Sequence, residues 1–199
     1  MIKNSIKIYL ASKSPRRKKL LEQLNLKVNV IKADYNEDHI ELTKPSELVK
    51  ELALHKLEFV SEKNLKGIII TADTIVYYSD KFDKKGKVFN KPKDENDAFK
   101  MLSFLSDKTH TVYTGFCVYN SITKKLINSY EKTNVTFRKL GDDEIRDYIK
   151  TGSPLDKAGA YGIQDDYGAV FIKKINGCYY NVVGLPLTKV YTSMLKVLE

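Results

Sequence analysis

Six residues restrict the architecture more than any others in the chain: Gly67-Ile68-Ile69-Ile70-Thr71-Ala72, an apolar run of strand length. A strand without polar alternation has no face to give to water, so it belongs at the centre of a sheet covered on both sides. The neighbouring sequence supplies the covering pieces. Ile6 to Ala11 reads as a strand, and Ser14-Pro15 then opens a helix, serine capping and proline at the first helical position, that runs through Leu20, Leu21 and Leu24. Lys27 to Lys32 is a second short strand, with Val28 and Val30 alternating with polar neighbours. From Pro45 to Glu62, Leu48, Leu52 and Phe59 with Val49, Ala53 and Val60 form the apolar side of a long helix.

Beyond the central run, Val76 to Tyr78 extends or restarts the strand. Asp94 to Leu105 predicts a helix with acids in its first turn, where they suit the dipole. Thr111 to Tyr119 and Leu126 to Leu140 predict a β-hairpin, and Asp142 to Lys150 a short helix. Val170 to Ile175 and Tyr179 to Val183 flank Asn176-Gly177, which predicts a second hairpin, and Pro186 opens a C-terminal helix. The expectation is an α/β chain: a mixed twisted sheet with flanking helices, βαβ-like early and hairpin-rich late. No repeat or linker divides residues 1–199, which read as a single domain; two lobes around a central cleft fit the same order of elements.

Composition narrows the function classes. A hydrophobic content of 42% over 199 residues suffices for a core and argues against disorder. No apolar run approaches the roughly 20 residues of a membrane helix, and Met1-Ile2-Lys3-Asn4-Ser5 leads straight into a strand, so a cytoplasmic protein is expected. Cys117 and Cys178 form no paired motif, and His39, His55 and His110 lack zinc-ligand spacing. The net charge of +9 favours an anionic partner, or reflects lysines on a solvated surface. No basic segment interleaved with aromatics supports nucleic acid as that partner.

Several local patterns carry chemistry. Ser12-Lys13-Ser14-Pro15-Arg16-Arg17 lies at a strand-to-helix junction, where free N–H groups and the helix dipole favour phosphate, and arginine forks match its oxygens. The alternative is a cap with exposed basic residues, although basic residues in a first turn oppose the dipole. Asp73 stands at the carboxyl end of the buried strand, where open α/β sheets bind ligands, or is a turn-forming residue between two strands. Lys56 lies beside the apolar stripe of the long helix and either snorkels to its rim or meets an anion. Lys91, after Phe89-Asn90, presents an ammonium to phosphate or is an ordinary loop lysine. Glu37, in the polar stretch Asp34 to Asp38, reads first as solvated loop and, with Asp73, offers oxygen ligands to Mg²⁺ or Mn²⁺. Gly159-Ala160-Tyr161-Gly162-Ile163-Gln164 is a glycine-spaced loop in which Gln164 is placed to read a base edge, or a plain structural turn.

The order of these segments resembles the Maf nucleotide pyrophosphatases over essentially the whole chain. The matching stretches are Leu-Ala-Ser-Lys-Ser-Pro-Arg-Arg, the helix carrying Lys56, Thr-Ala-Asp-Thr-Ile-Val around Asp73, Asn-Lys-Pro at Lys91, the helix with Ala98 and Met101-Leu102, His110 to Gly115, Pro154 to Gln164, and Val183-Gly184-Leu185-Pro186-Leu187. The resemblance implies a two-lobed Maf/inosine-triphosphatase-like fold, a divalent metal, a frequent homodimer, and cleavage of a nucleoside triphosphate between the α- and β-phosphates. Carried over, Ser12, Arg16, Arg17, Lys56 and Lys91 hold phosphates, Asp73 is the general base, Glu37 assists with metal or water, and Gln164 lies near the substrate. Asp73-Thr74 and Lys157 to Gln164 match the dTTP/UTP branch; the branch linked to 7-methyl-GTP carries Asp-Gln and Cys-Ala-Gly-Ser-Phe instead. Asp165-Asp166-Tyr167 is bulkier and more acidic than the expected loop. The alternative function is a nucleotide-binding regulator of cell division and septum formation without significant catalysis.

Overall fold

Parallel pairing organises the first third of the chain, in a computed structural model that describes residues 2, 6–32, 44–80, 86–164 and 167–199. Strand β1 (Ile8–Ala11) leads into helix α1 (Pro15–Glu22) and back to β2 (Val28–Ile31). Helix α2 (Pro45–Ser61) then precedes β3 (Ile68–Tyr78). Ile8 pairs with Val28 on one side and with Ile68 on the other, both in parallel register. Parallel neighbours need a crossover, and α1 supplies the first, as the alternation in sequence predicts.

The remaining elements are β4 (Lys87–Phe89), α3 (Glu95–Leu105), β5 (Thr109–Asn120), β6 (Leu126–Phe137), α4 (Asp142–Lys150), β7 (Ile172–Asn176), α5 (Tyr179–Val183) and α6 (Leu187–Leu198). Among the described residues the strands form a seven-stranded mixed sheet in the order β2-β1-β3-β5-β6-β7, with β4 paired to β3. The β5–β6 hairpin and α3, capped by the Asp94 carboxylate accepting from the Asp97 N–H at 2.7 Å, follow the sequence expectation. The mixed α/β fold with flanking helices is therefore the one expected.

Two expectations are corrected. Asp73 is neither at the end of a strand nor in a turn: β3 continues through it to Tyr78. The first half of β3 follows β1 as far as Ala11↔Thr71, and the second half takes β4 as an antiparallel partner from Val76↔Phe89 onward. New ladder contacts keep the backbone extended across the acid. The second correction concerns Tyr179–Val183, which is a helical turn and not the return strand of a hairpin. Its Asn181 side chain is fully buried and donates to the Val112 carbonyl at 3.1 Å and to the Thr133 hydroxyl at 3.0 Å. Burying that amide turns the chain inward, and a short apolar run reads the same in sequence as strand or helix.

The chain groups into two compact units. Unit 1 comprises Met1–Asp73, Thr114–Glu131 and Gly184–Glu199; unit 2 comprises Thr74–Tyr113 and Lys132–Val183. The core of unit 1 includes Ala11, Ala53, Leu57, Val60, Ile69 and Cys117. Unit 2 is built on Val76, Phe89, Leu102, Val112, Phe137, Tyr148 and Phe171, among others. In unit 2, Phe137 packs edge-on against His110, Tyr161 and Phe171, geometry that aromatic quadrupoles favour. Among the described residues no helix is long and apolar enough to cross a membrane.

In unit 1, β5 runs so close to α2 that a Cβ added at Gly115 would lie 2.0 Å from the Val49 carbonyl oxygen. Gly115→Ala is therefore expected to cost at least about 2 kcal/mol, because both neighbours are backbone and cannot rotate away. Urea unfolding of the variant against wild type measures this; an unchanged midpoint would show that α2 does not sit where it is placed.

Candidate active site

In unit 1 the turn after β1 and the middle of β3 form one connected site. Pro15 fixes the first helical φ of α1. The Ser14 side chain makes no capping bond; instead the Ser12 hydroxyl accepts from the Ser14 N–H at 3.2 Å. The same oxygen accepts from Arg17 Nη1 at 3.2 Å, so both its lone pairs are taken and its single proton is left to donate. Ser12 is buried, while Arg16 on the same turn is half-exposed.

Arg17 extends beneath this turn. Its Nη1 also donates to the Ala72 carbonyl at 2.9 Å, and its Nε to the Gly184 carbonyl at 2.7 Å. Ala72 is next to Asp73, whose carboxylate pairs with the Lys56 ammonium. The Lys56 and Asp73 side chains are only 13% and 12% exposed, so each charge depends on the other. Of the two readings of Lys56, the structure selects the anion partner over snorkelling.

Local periodicity explains the pairing. Residues three apart on a helix are neighbours, as are residues two apart on one strand face. Ala53 and Lys56 on α2 thus meet Thr71 and Asp73 on β3, and the Thr71 hydroxyl donates to the Ala53 carbonyl at 2.6 Å. Thr71 escaped the sequence reading as a site residue, although a hydroxyl within an apolar run was a visible signal. Gly184 was also missed; its backbone carbonyl is a feature that residue type does not reveal.

Lys91 and Gln164 belong to unit 2. Lys91 is exposed, on the loop after β4. Its neighbour Asn90 is held through its carbonyl, which accepts from the Gly159 N–H at 3.1 Å. Gly159 needs to be glycine: its φ is +68°, and a Cβ would lie 2.8 Å from Val76 Cγ2. Lys157, matched in the family motif but given no role of its own there, is 6% exposed and donates to the Ser153 carbonyl and hydroxyl and to Asp156 Oδ1, at 2.6, 2.8 and 3.0 Å. Both polar side-chain atoms of Gln164 are buried and have no hydrogen-bond partner among the described residues. A buried carboxamide in that state costs free energy until a complementary group arrives. Glu37 and Asp165-Asp166 lie outside the described residues. Among the described residues no group of three or more His, Cys, Asp or Glu is arranged to hold a metal.

The glycine loop has its own anchor in unit 2, where His110 Nε2 and the Tyr161 hydroxyl lie 2.7 Å apart. Burial pushes the His110 imidazole down to about 3 and the Tyr161 phenol upward. The folded state therefore keeps His110 neutral where the unfolded chain, with its ordinary value of 6.5, takes up a proton. That stabilisation is complete above about pH 6.5 and is lost as pH falls towards about 3, at on the order of 1 kcal/mol per pH unit. Urea midpoints taken between about pH 7 and about pH 4 are expected to fall more steeply for wild type than for His110→Gln. Equal slopes would remove His110 as the acid-sensitive group.

The family described as "Maf-like protein" matches residues 7–197. A Clostridium perfringens protein named dTTP/UTP pyrophosphatase is 44% identical over 191 residues, covering 95% of this chain and 96% of that one. A Thermosipho melanesiensis protein of the same name is 50% identical over 184 residues, covering 92% and 94%. Among solved structures, a HAM1 protein from Coxiella burnetii is similar with a TM-score of 0.48 and 13% identity, over 96% of this chain and 99% of that chain.

Proposed function

The chain belongs to the family of Maf-like proteins, and on that premise we propose that it hydrolyses nucleoside triphosphates, dTTP and UTP foremost, to the monophosphate and pyrophosphate. The observation that carries the proposal is the Lys56–Asp73 pair, joined through Arg17 and Ala72 to the Ser12 turn. A carboxylate, an ammonium and a hydroxyl donor at a helix N-terminus suit phosphoryl transfer to water.

In this reading Ser12, Arg16 and the α1 N-terminus take phosphate oxygens, and Lys56 bridges the Asp73 carboxylate to the triphosphate. Asp73 accepts a proton from water at a carboxylate oxygen as that water's oxygen bonds to the α-phosphorus in line. The bond from the α-phosphorus to the bridging oxygen breaks, and its electron pair leaves with pyrophosphate. Arg16 and Lys91 offset the charge that builds on the leaving group. The hard oxygen donor of Asp73 suits Mg²⁺ or Mn²⁺, which Asp73 and Glu37 would hold and which would neutralise phosphate charge when bound. Gln164 reads the base edge: its carboxamide pairs a donor and an acceptor with the N3–H and a carbonyl of thymine or uracil. Residues 1–199 act as one functional domain on the free cytoplasmic nucleotide pool, with a homodimer as the assembly the family resemblance implies.

A panel of dTTP, UTP, CTP, dATP, GTP and 7-methyl-GTP, with and without Mg²⁺ or Mn²⁺ and with pyrophosphate separated from orthophosphate, tests the reaction. Pyrophosphate from dTTP and UTP in the presence of metal is expected. Product chiefly from 7-methyl-GTP would retain the reaction and overturn the substrate, while tight binding without product would favour the regulator. Asp73→Asn is expected to lower kcat by about 10²–10⁴-fold with nucleotide binding nearly unchanged, read by single-turnover kinetics and calorimetry. Gln164→Ala is expected to lower kcat/KM for dTTP by roughly 10-fold or more and to flatten the preference among bases.

A further inference from the structure

We propose that Arg17 is a positioning residue that fixes the backbone beneath Asp73, and that Arg16 alone of the two adjacent arginines takes phosphate. This assignment rests on the hydrolytic reading of the same site and revises the role that the family resemblance gives Arg17.

The Arg17 side chain ends in a planar guanidinium. It carries five N–H groups, and a phosphate is gripped in a fork along one of two edges: Nε with Nη2, or Nη1 with Nη2. In unit 1 the Nε–H of Arg17 goes to the Gly184 carbonyl at 2.7 Å. Both Nη1 protons are committed as well, to Ser12 Oγ at 3.2 Å and to the Ala72 carbonyl at 2.9 Å. Each edge therefore includes a nitrogen already spoken for. A forked phosphate contact would break a bond to a buried or half-buried acceptor and leave it unsatisfied.

Those acceptors have a shared geometry. The β1–β3 ladder closes at Ala11↔Thr71, and Arg17 meets the next carbonyl of β3, at Ala72. Ser12 is the residue after Ala11 at the end of β1, and Gly184, with φ of +117°, lies just before Pro186, the N-cap of α6. One planar cation thus ties together the end of β1, the middle of β3 and the start of the last helix. Asp73 follows directly from the carbonyl it holds, and Ser12, which accepts from Arg17 and from the Ser14 N–H, keeps its one proton to donate. Arg16 precedes Arg17 on α1 and so points about 100° away around the helix. Both arginines are half-exposed, so the committed Nε and Nη1 donors of Arg17, and not burial, separate the two.

Arg17 thus acts through Asp73 and Ser12. Lysine keeps its charge without the planar fork, so Arg17→Lys separates the two roles. Steady-state kinetics with dTTP, pyrophosphate affinity by calorimetry and thermal midpoints would be measured for Arg17→Lys and Arg16→Ala. For Arg17→Lys the expected result is a fall in kcat of at least about tenfold, with KM and pyrophosphate affinity within about threefold of wild type. Arg16→Ala is expected to weaken pyrophosphate by about tenfold or more. The proposal is overturned if Arg17→Lys keeps kcat and loses pyrophosphate affinity.

A second measurement uses the wild-type protein and needs no turnover. In protein labelled with ¹⁵N-arginine, the Arg17 Nε–H signal is expected to be sharp and slow to exchange without ligand, and to hold its position as pyrophosphate is added. The Arg16 signal is expected to shift. The reverse pattern sinks the assignment even if Arg17→Lys fails to fold. Wild type that hydrolyses nothing while its Arg17 signal behaves as expected would remove the hydrolytic reading and leave the positioning role intact.

Discussion

A carboxylate held inside a strand is the constraint around which unit 1 is arranged. Asp73 lies within β3 and is 9% exposed, and an unpaired charge there would be prohibitively costly. Lys56 meets that cost from α2, and the Thr71–Ala53 bond two residues earlier keeps helix and strand in the register that brings the charges together. Removing either charge would strand the other, which is far more damaging than replacing both by apolar residues. Stability and the chemistry proposed for the site thus rest on the same pair.

The backbone around that pair is held with equal care. β3 passes from a parallel partner, β1, to an antiparallel one, β4, and Asp73 stands in the gap between the two ladders. Arg17 binds the carbonyl in that gap together with the Ser12 hydroxyl and the Gly184 carbonyl. A guanidinium suits this duty because its donors are coplanar and fixed, so a nearby hydroxyl and two carbonyls from distant parts of the sequence become mutually oriented.

Unit 2 uses different means for a similar end. Its loop from Lys157 to Gln164 carries few side chains able to lock it, so backbone and buried polar groups serve instead. Lys157 closes the preceding turn on Ser153 and Asp156, the Gly159 N–H holds Asn90, and Tyr161 is moored to a neutral His110 within an aromatic cluster. Ala160 adopts a left-handed φ of +62° and is fully buried, a conformation that costs a non-glycine residue free energy and persists only in a well-determined surrounding. The one loop side chain left with buried, unpartnered polar atoms among the described residues is Gln164.

The amino-acid sequence by itself determined the strand–helix alternation, because a 3.6- or 2-residue period records which face of an element is buried. It also determined the cluster of charged and hydroxyl residues at the first strand–helix turn, since Pro15 and its neighbours mark a helix start locally. The family likeness was legible for the same reason: it lies in residue types along the chain. Only the tertiary structure decided that Asp73 sits within a continuous strand, because the next element, β4, folds back on β3 to extend the ladder, a pairing that the residue types around Asp73 do not record. It alone turned Tyr179–Val183 into a helix, through the burial of Asn181 against Val112 and Thr133. And it alone distinguished two adjacent arginines. Their sequence environment is nearly the same, but the carbonyls that engage Arg17 come from residues 55 and 167 positions away, and backbone acceptors brought together by folding leave no mark in residue type.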